Sequence, residues 1–148
     1  MDKDILFMRK ALQEAEKARK EGEVPVGAIV VRDKKIIARG HNKPVSGNDP
    51  TAHAEIVAIR NAGRKTQNYR LSGCELYVTL EPCAMCLGAA VQSRIKRLVF
   101  GAFDLKSGAV ESVMDFPFEK MNHRVEVRGG VLAEECGKIL RTFFERRR

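Results

Sequence analysis

The chain has 148 residues, 44% of them hydrophobic, and a formal net charge of +8. That length suits one compact domain over residues 1–148, with enough apolar content for a core. No run of about 18 apolar residues occurs, which argues against a membrane-spanning helix. The charged, periodic start does not read as a secretory leader, so the expected compartment is cytoplasmic, where thiols stay reduced.

Residues 5–20 place Ile5, Met8, Leu12, Ala15 and Ala18 at helical spacing, with Gly22 where that helix stops. "VPVGAIVV" and "KIIARG", separated by "RDK", predict a β-hairpin. "HNKPVSGNDP" is a loop. "TAHAEIVAIRNAG" follows as a buried helix ending at Gly63. "CELYVTL" is a strand, and "PCAMCLGAAVQSR" a helix with Pro82 at its first position. "KRLVFGA" and the short "RVEVRGG" are strands. "VLAEECGKILRTFFERR" closes the chain as a helix, with Leu132, Cys136, Ile139, Leu140 and Phe143 on its inner face. This order predicts an α/β protein with a mixed central sheet sandwiched between helices: an antiparallel first pair, then parallel strand–helix–strand units.

Basic residues cluster. Residues 60–70 carry four cations and no acid, "SRIKR" adds three, and the last eleven residues carry five against one acid. A polyanion such as nucleic acid suits that pattern, and so does an ordinary solvated surface.

Two loop-to-helix junctions carry metal-type side chains: "PTAHAE" with His53 and Glu55, and "LEPCAMC" with Cys83 and Cys86. Cysteines three apart lie on one helix face, and a helix start favours thiolate. Two thiolates and one imidazole around Zn²⁺ sum to nearly zero charge and leave one tetrahedral position open for water, the pattern of a catalytic zinc site. Glu55 then takes a proton from water and passes it to a substrate nitrogen. Residues two apart point to opposite sides of an ideal helix, so convergence requires His53 in the first turn, with the metal beyond the helix end. A redox dithiol leaves His53 and Glu55 unexplained, and a closed zinc site using Cys74 as fourth ligand leaves Glu55 unexplained. Cys74 and Cys136 sit in apolar patterns and read as core thiols. His41 and His123 are single histidines near loops.

The order His-x-Glu, about 30 residues, Pro-Cys-x-x-Cys is the signature of zinc nucleoside and nucleobase deaminases. The stretches "EVPVGAIVV", "HNKPV", "DPTAHAEIVAIR", "NYRLSGCELYVTLEPCAMCLGAAVQSRI", "VFGAFDLKSGA", "MNHRVEV" and "GVLAEEC" narrow the resemblance to the bacterial tRNA adenosine deaminases. That resemblance implies a three-layer α/β/α cytidine-deaminase-like fold and hydrolysis of adenosine to inosine at the wobble position. It also implies a tRNA anticodon stem-loop as partner, a homodimer, and one Zn²⁺ per subunit on His53, Cys83 and Cys86. It makes Glu55 the proton shuttle and Asn42 the residue that hydrogen-bonds the purine, with the Ala54 backbone against the base. Asp104 and Asn122 hold ribose and neighbouring nucleotides, and Phe144 lies near the flanking bases. For each of these outer residues a bland role exists as well: Asn42, Asp104 and Asn122 as turn or loop caps, Phe144 as core. Two rivals share much of the pattern: a free-base deaminase acting on guanine or cytosine, and a non-catalytic RNA-binding subunit with a structural zinc, which has no use for Glu55.

Overall fold

In the computed structural model, which describes residues 2–147, a five-stranded sheet lies between two pairs of helices. The last C-terminal arginine, Arg148, lies outside the described residues. In chain order the elements are α1 (Lys3–Lys20), β1 (Gly27–Arg32), β2 (Lys35–His41), α2 (Ala54–Thr66), β3 (Glu75–Leu80), α3 (Ala84–Gln92), β4 (Arg97–Ala102), a 3-10 turn (Phe118–Lys120), β5 (Glu126–Arg128) and α4 (Ala133–Glu145).

The sheet order is β2-β1-β3-β4-β5. β1 runs antiparallel to both β2 and β3, while β3–β4 and β4–β5 are parallel. The hairpin closes through Asp33 and Lys34, both with positive φ, as a two-residue turn between right-twisted strands requires.

Strand alternation divides the core. Ala28, Val30, Leu76, Val78, Leu98 and Phe100 face α2 and α3; Ile29, Val31, Tyr77, Val99 and Ala102 face α1 and α4. Both faces are covered, which explains why these strands read as continuous apolar runs. Cys74 and Cys136 are fully buried in the two core clusters, as expected of core thiols.

Three local readings of the sequence change. Gly63 does not end α2; the helix continues to Thr66 and closes at Gln67 in a left-handed conformation, whose N–H reaches the Gly63 carbonyl. Nor is α2 buried all round: its inner stripe is Ala54, Glu55, Ala58 and Ala62, while Ile56 and Val57 are half-buried. Small residues line that stripe because β2 approaches so closely that a Cβ on Gly40 would stand 2.5 Å from the Ala58 nitrogen. Finally, α3 begins at Ala84, after Pro82 and Cys83.

Asp4 and Glu14 are buried acids of α1, Glu14 beside Lys17, Arg39 and His41. Asp4 accepts from both terminal nitrogens of Arg97 (2.8 and 2.6 Å), from Arg128 (2.6 Å) and from the Tyr77 hydroxyl (2.7 Å). The hydrogen bond from Arg97 is the main reason its carboxyl lies well below the usual range. This network ties α1 to the sheet near the starts of β3 and β4, away from the ends that carry the pocket described next.

Candidate active site

The pocket forms where β3 ends and α2 and α3 begin. His53 is the N-cap of α2 and Cys83 the N-cap of α3, both with extended backbones, and neither side chain caps its own helix. His53 thus precedes the first turn rather than sitting in it, and this resolves the two-residue spacing. An extended His53 and a helical Glu55 both line the same cavity of about 270 Å³.

Freed from capping, the His53 ring turns its Nδ1 to the thiols, 3.6 Å from Cys83 Sγ and 3.5 Å from Cys86 Sγ. Among the described residues these three form the one group of metal-type donors, all within 4.8 Å of one another. Tetrahedral zinc with Zn–S near 2.3 Å and Zn–N near 2.0–2.1 Å puts sulfur and nitrogen ligands about 3.6 Å apart, so the spacing and donor types suit Zn²⁺. Cys74 lies in the core instead and supplies no fourth ligand. His41 contacts Glu21 and His123 the Ile95 carbonyl, so neither joins the cluster.

The titration of the three donors is shared. The Cys86 thiol donates to Cys83, and with His53 alongside this holds the Cys83 thiol down at about 4. The same bond, with burial, pushes Cys86 up, and the contact with Cys83 raises His53. Glu55 is 4% exposed, and burial pushes its carboxyl up to about 7. A carboxyl poised near neutrality beside a metal-type donor set is what a proton shuttle requires.

Asn42 supplies what His53 does not. Its Oδ1 accepts from the Ala54 N–H (2.7 Å), capping α2 from a different segment. Its own N–H donates to the Val26 carbonyl, and the loop is closed by Lys43 N–H to the Ala52 carbonyl. Both hydrogens on Asn42 Nδ2 remain for a ligand in the pocket that Asn42 lines. Ala54 itself is fully buried under this bond.

Asp104 also lines the pocket, with its carboxylate accepting from the Lys106 and Ser107 N–H groups and the Ser107 hydroxyl. Phe144 is 48% exposed, which removes the core reading. It lines an adjoining apolar groove with Phe103, Leu105 and Leu140, and Asp104 and Ser107 belong to both cavities. Asn122 stands apart, accepting from Arg94 (3.3 Å) beside a cleft lined by Arg70, Arg94, Lys96 and Arg124.

Sequence reasoning missed two carboxylates, Glu81 in the pocket and Glu23 behind the loop that follows Asn42, each 2% exposed. Glu23 accepts from the Val45 and Ser46 N–H groups and fixes the loop after Asn42. The signal for Glu81 was its place between an apolar strand and a Pro-Cys helix start, where solvent cannot reach it.

A model of the MafB19-like deaminase family matches residues 1–148. The tRNA-specific adenosine deaminase of Haemophilus influenzae is 56% identical over 98% of this chain and 85% of its own length. The chain belongs to the tRNA-specific adenosine deaminases. A solved structure from a study of A-to-I editing by tRNA:A34 deaminases at the wobble position of transfer RNA superposes on this deaminase with a TM-score of 0.87 and 47% identity, covering 90% of this chain and 98% of that one. Guanine deaminase from Bacillus subtilis shares the fold at a TM-score of 0.65 and 34% identity, over 96% and 92% of the two chains. The predicted α/β/α architecture with a mixed sheet is the one observed.

Proposed function

We propose that this enzyme hydrolyses adenosine to inosine at the wobble position of a tRNA anticodon, with residues 1–148 acting as one deaminase domain. The observation that carries this reading is the buried Glu55 carboxyl in one pocket with the His53–Cys83–Cys86 donor set. Zn²⁺ held by those three residues supplies Lewis acidity, lowering the pKa of water to about 7. Glu55 accepts a proton from the water that attacks C6, delivers it to N1 of the purine, and then assists departure of ammonia. Asn42 offers its two Nδ2 hydrogens to acceptors on the ring, while the Ala54 N–H fixes its orientation. Asp104 and Phe144 extend the site towards ribose and flanking bases. Asn122, with the arginine cleft beside it, is assigned to neighbouring nucleotides.

An RNA partner is supported by Arg70, Arg94, Lys96 and Arg124, which share one cleft and find no carboxylate within 4.0 Å among the described residues. Anticodon-loop bases are unpaired, so little unstacking is needed to bring C6 into the cavity. A homodimer is supported by the apolar surface that α2 and α3 leave uncovered, with Ile56 and Val57 half-buried and Ala84 and Met85 exposed. No described helix is long and apolar enough to cross a membrane. The two ligand thiols need a reducing compartment, which supports a cytoplasmic location.

The test is incubation of the zinc-loaded enzyme with an anticodon stem-loop carrying adenosine at the wobble position, and separately with free guanine and cytosine. Inosine in the stem-loop, lost on chelation and restored by Zn²⁺, is the expected result. Turnover of a free base without inosine formation would overturn the reading in favour of a nucleobase deaminase.

A further inference from the structure

Glu81 is a buried carboxylate in which both oxygens are saturated by one loop. Oε1 accepts from the Asp104 N–H (3.1 Å) and the Ser112 hydroxyl. Oε2 accepts from the N–H groups of Val110 (3.1 Å), Glu111 (2.9 Å) and Ser112 (3.1 Å). No Lys, Arg or His among the described residues lies within 4.0 Å of it, so these five donors alone stabilise its charge. The main chain repeats the connection: Glu81 N–H donates to the Ala102 carbonyl, and Ala109 N–H to the Pro82 carbonyl. Gly108 completes the fit, because a Cβ there would stand 2.5 Å from Oε1.

Glu81 lies two residues before Cys83, and Asp104, one of its donors, lines the same pocket as Cys83. One side chain therefore couples the strand end that delivers Cys83 to the loop that brings Asp104 to the same pocket. A glutamine in its place has one accepting oxygen, and its NH2 would face N–H donors. Burial without a cation is a poor route to stability alone. It does fix geometry, because five donors of fixed direction converge on two oxygens.

We propose that Glu81 is a positioning residue: it holds the segment 104–112, and through it Asp104, in register with the Cys83 wall, and so sets the subsite for the nucleotide around the reacting base rather than the chemistry at that base. The inference rests on the functional reading given above. Glu81 acts on binding, so its loss separates KM from kcat.

The test compares the wild type with Glu81→Gln, Gly108→Ala and Asp104→Ala on the anticodon stem-loop, with zinc content and amide hydrogen exchange measured on each. Gly108→Ala keeps the carboxylate but wedges it from the loop, so it serves if Glu81→Gln does not fold. Both variants are expected to raise KM by roughly tenfold or more, with kcat changed less than about threefold, the pattern of lost binding rather than lost transition-state contact. Zinc stays at one per chain, and the amides of Asp104, Val110, Glu111 and Ser112 exchange faster. Asp104→Ala added to either variant lowers kcat/KM by less than about threefold further, since linked residues are non-additive. An active wild type with unchanged KM in both variants overturns the proposal, as do loss of zinc or full additivity with Asp104→Ala. A wild type that makes no inosine overturns the functional reading and the proposal with it.

Discussion

Replacing Glu55 by glutamine sets activity against stability in a way the structure specifies. Glu55 is 4% exposed, and burial raises its carboxyl from 4.5 to about 7. An unfolded chain releases this proton near 4.5, the folded chain only near 7, so between those values the folded state holds more protons. The contribution of Glu55 to the stability of the zinc-free protein therefore falls as pH rises from 4.5 to 7 and is level above it. At about 1.4 kcal/mol per pKa unit, the penalty reaches on the order of 3 kcal/mol at pH 8. Glutamine has the same shape and no charge, so zinc-free Glu55→Gln unfolds at higher urea than the wild type at pH 8, and the two converge near pH 4.5. Activity moves the other way, because a positioned proton shuttle contributes roughly 10²- to 10⁴-fold. Urea unfolding across pH 4.5–8 gives the first quantity and single-turnover inosine formation the second. A Glu55→Gln protein that is less stable at pH 8 would make Glu55 a structural carboxylate. Retention of full activity would show that another group moves the proton.

Asn42→Asp keeps the oxygen that accepts from the Ala54 N–H but removes both Nδ2 hydrogens. Its kcat/KM on the stem-loop is expected to fall by about 1–3 kcal/mol, roughly five- to 150-fold, with zinc content and melting temperature unchanged; steady-state kinetics and calorimetry check both. Asp4→Asn removes the buried carboxylate that Arg97 and Arg128 share, leaving Arg97 with Glu75 and Arg128 with Asp2, and should cost about 1–3 kcal/mol in urea unfolding at pH 7. Because the folded Asp4 carboxyl lies below its unfolded value of 3.8, that difference is fully present above this value and shrinks as pH falls beneath it. The folded fraction should keep wild-type kcat, and a lowered kcat would show that the network reaches the pocket.

Patterning carried most of the architecture. Helical spacing and short apolar runs between turn signals located the five strands and four α-helices; the strands show no period of two because one set of their residues packs on α1 and α4 and the other on α2 and α3. Boundaries failed where chemistry overrode punctuation. Gly63 lies inside α2 because its missing side chain does not prevent the helical hydrogen bond that Gln67 closes. Pro82 and Cys83 precede α3 because Cys83 must turn its sulfur outward from an extended N-cap.

The chemistry of the site was also written locally. His53, Glu55, Cys83 and Cys86 occupy two short motifs whose residue types suit one metal and one proton, and no packing information was needed to pair them. The partners of Glu81 and Glu23 and the orientation of Asn42 were beyond sequence reading, since those partners lie 12 to 31 residues away. A carboxylate looks alike in sequence whether it is solvated or ringed by five donors. By itself, then, the sequence determined which side chains are suited to a metal and a proton and which elements carry them. Only the tertiary structure decided which loops share the pocket with those atoms and what pins them there, because that depends on antiparallel β1 beginning beside the ends of parallel β3 and β4.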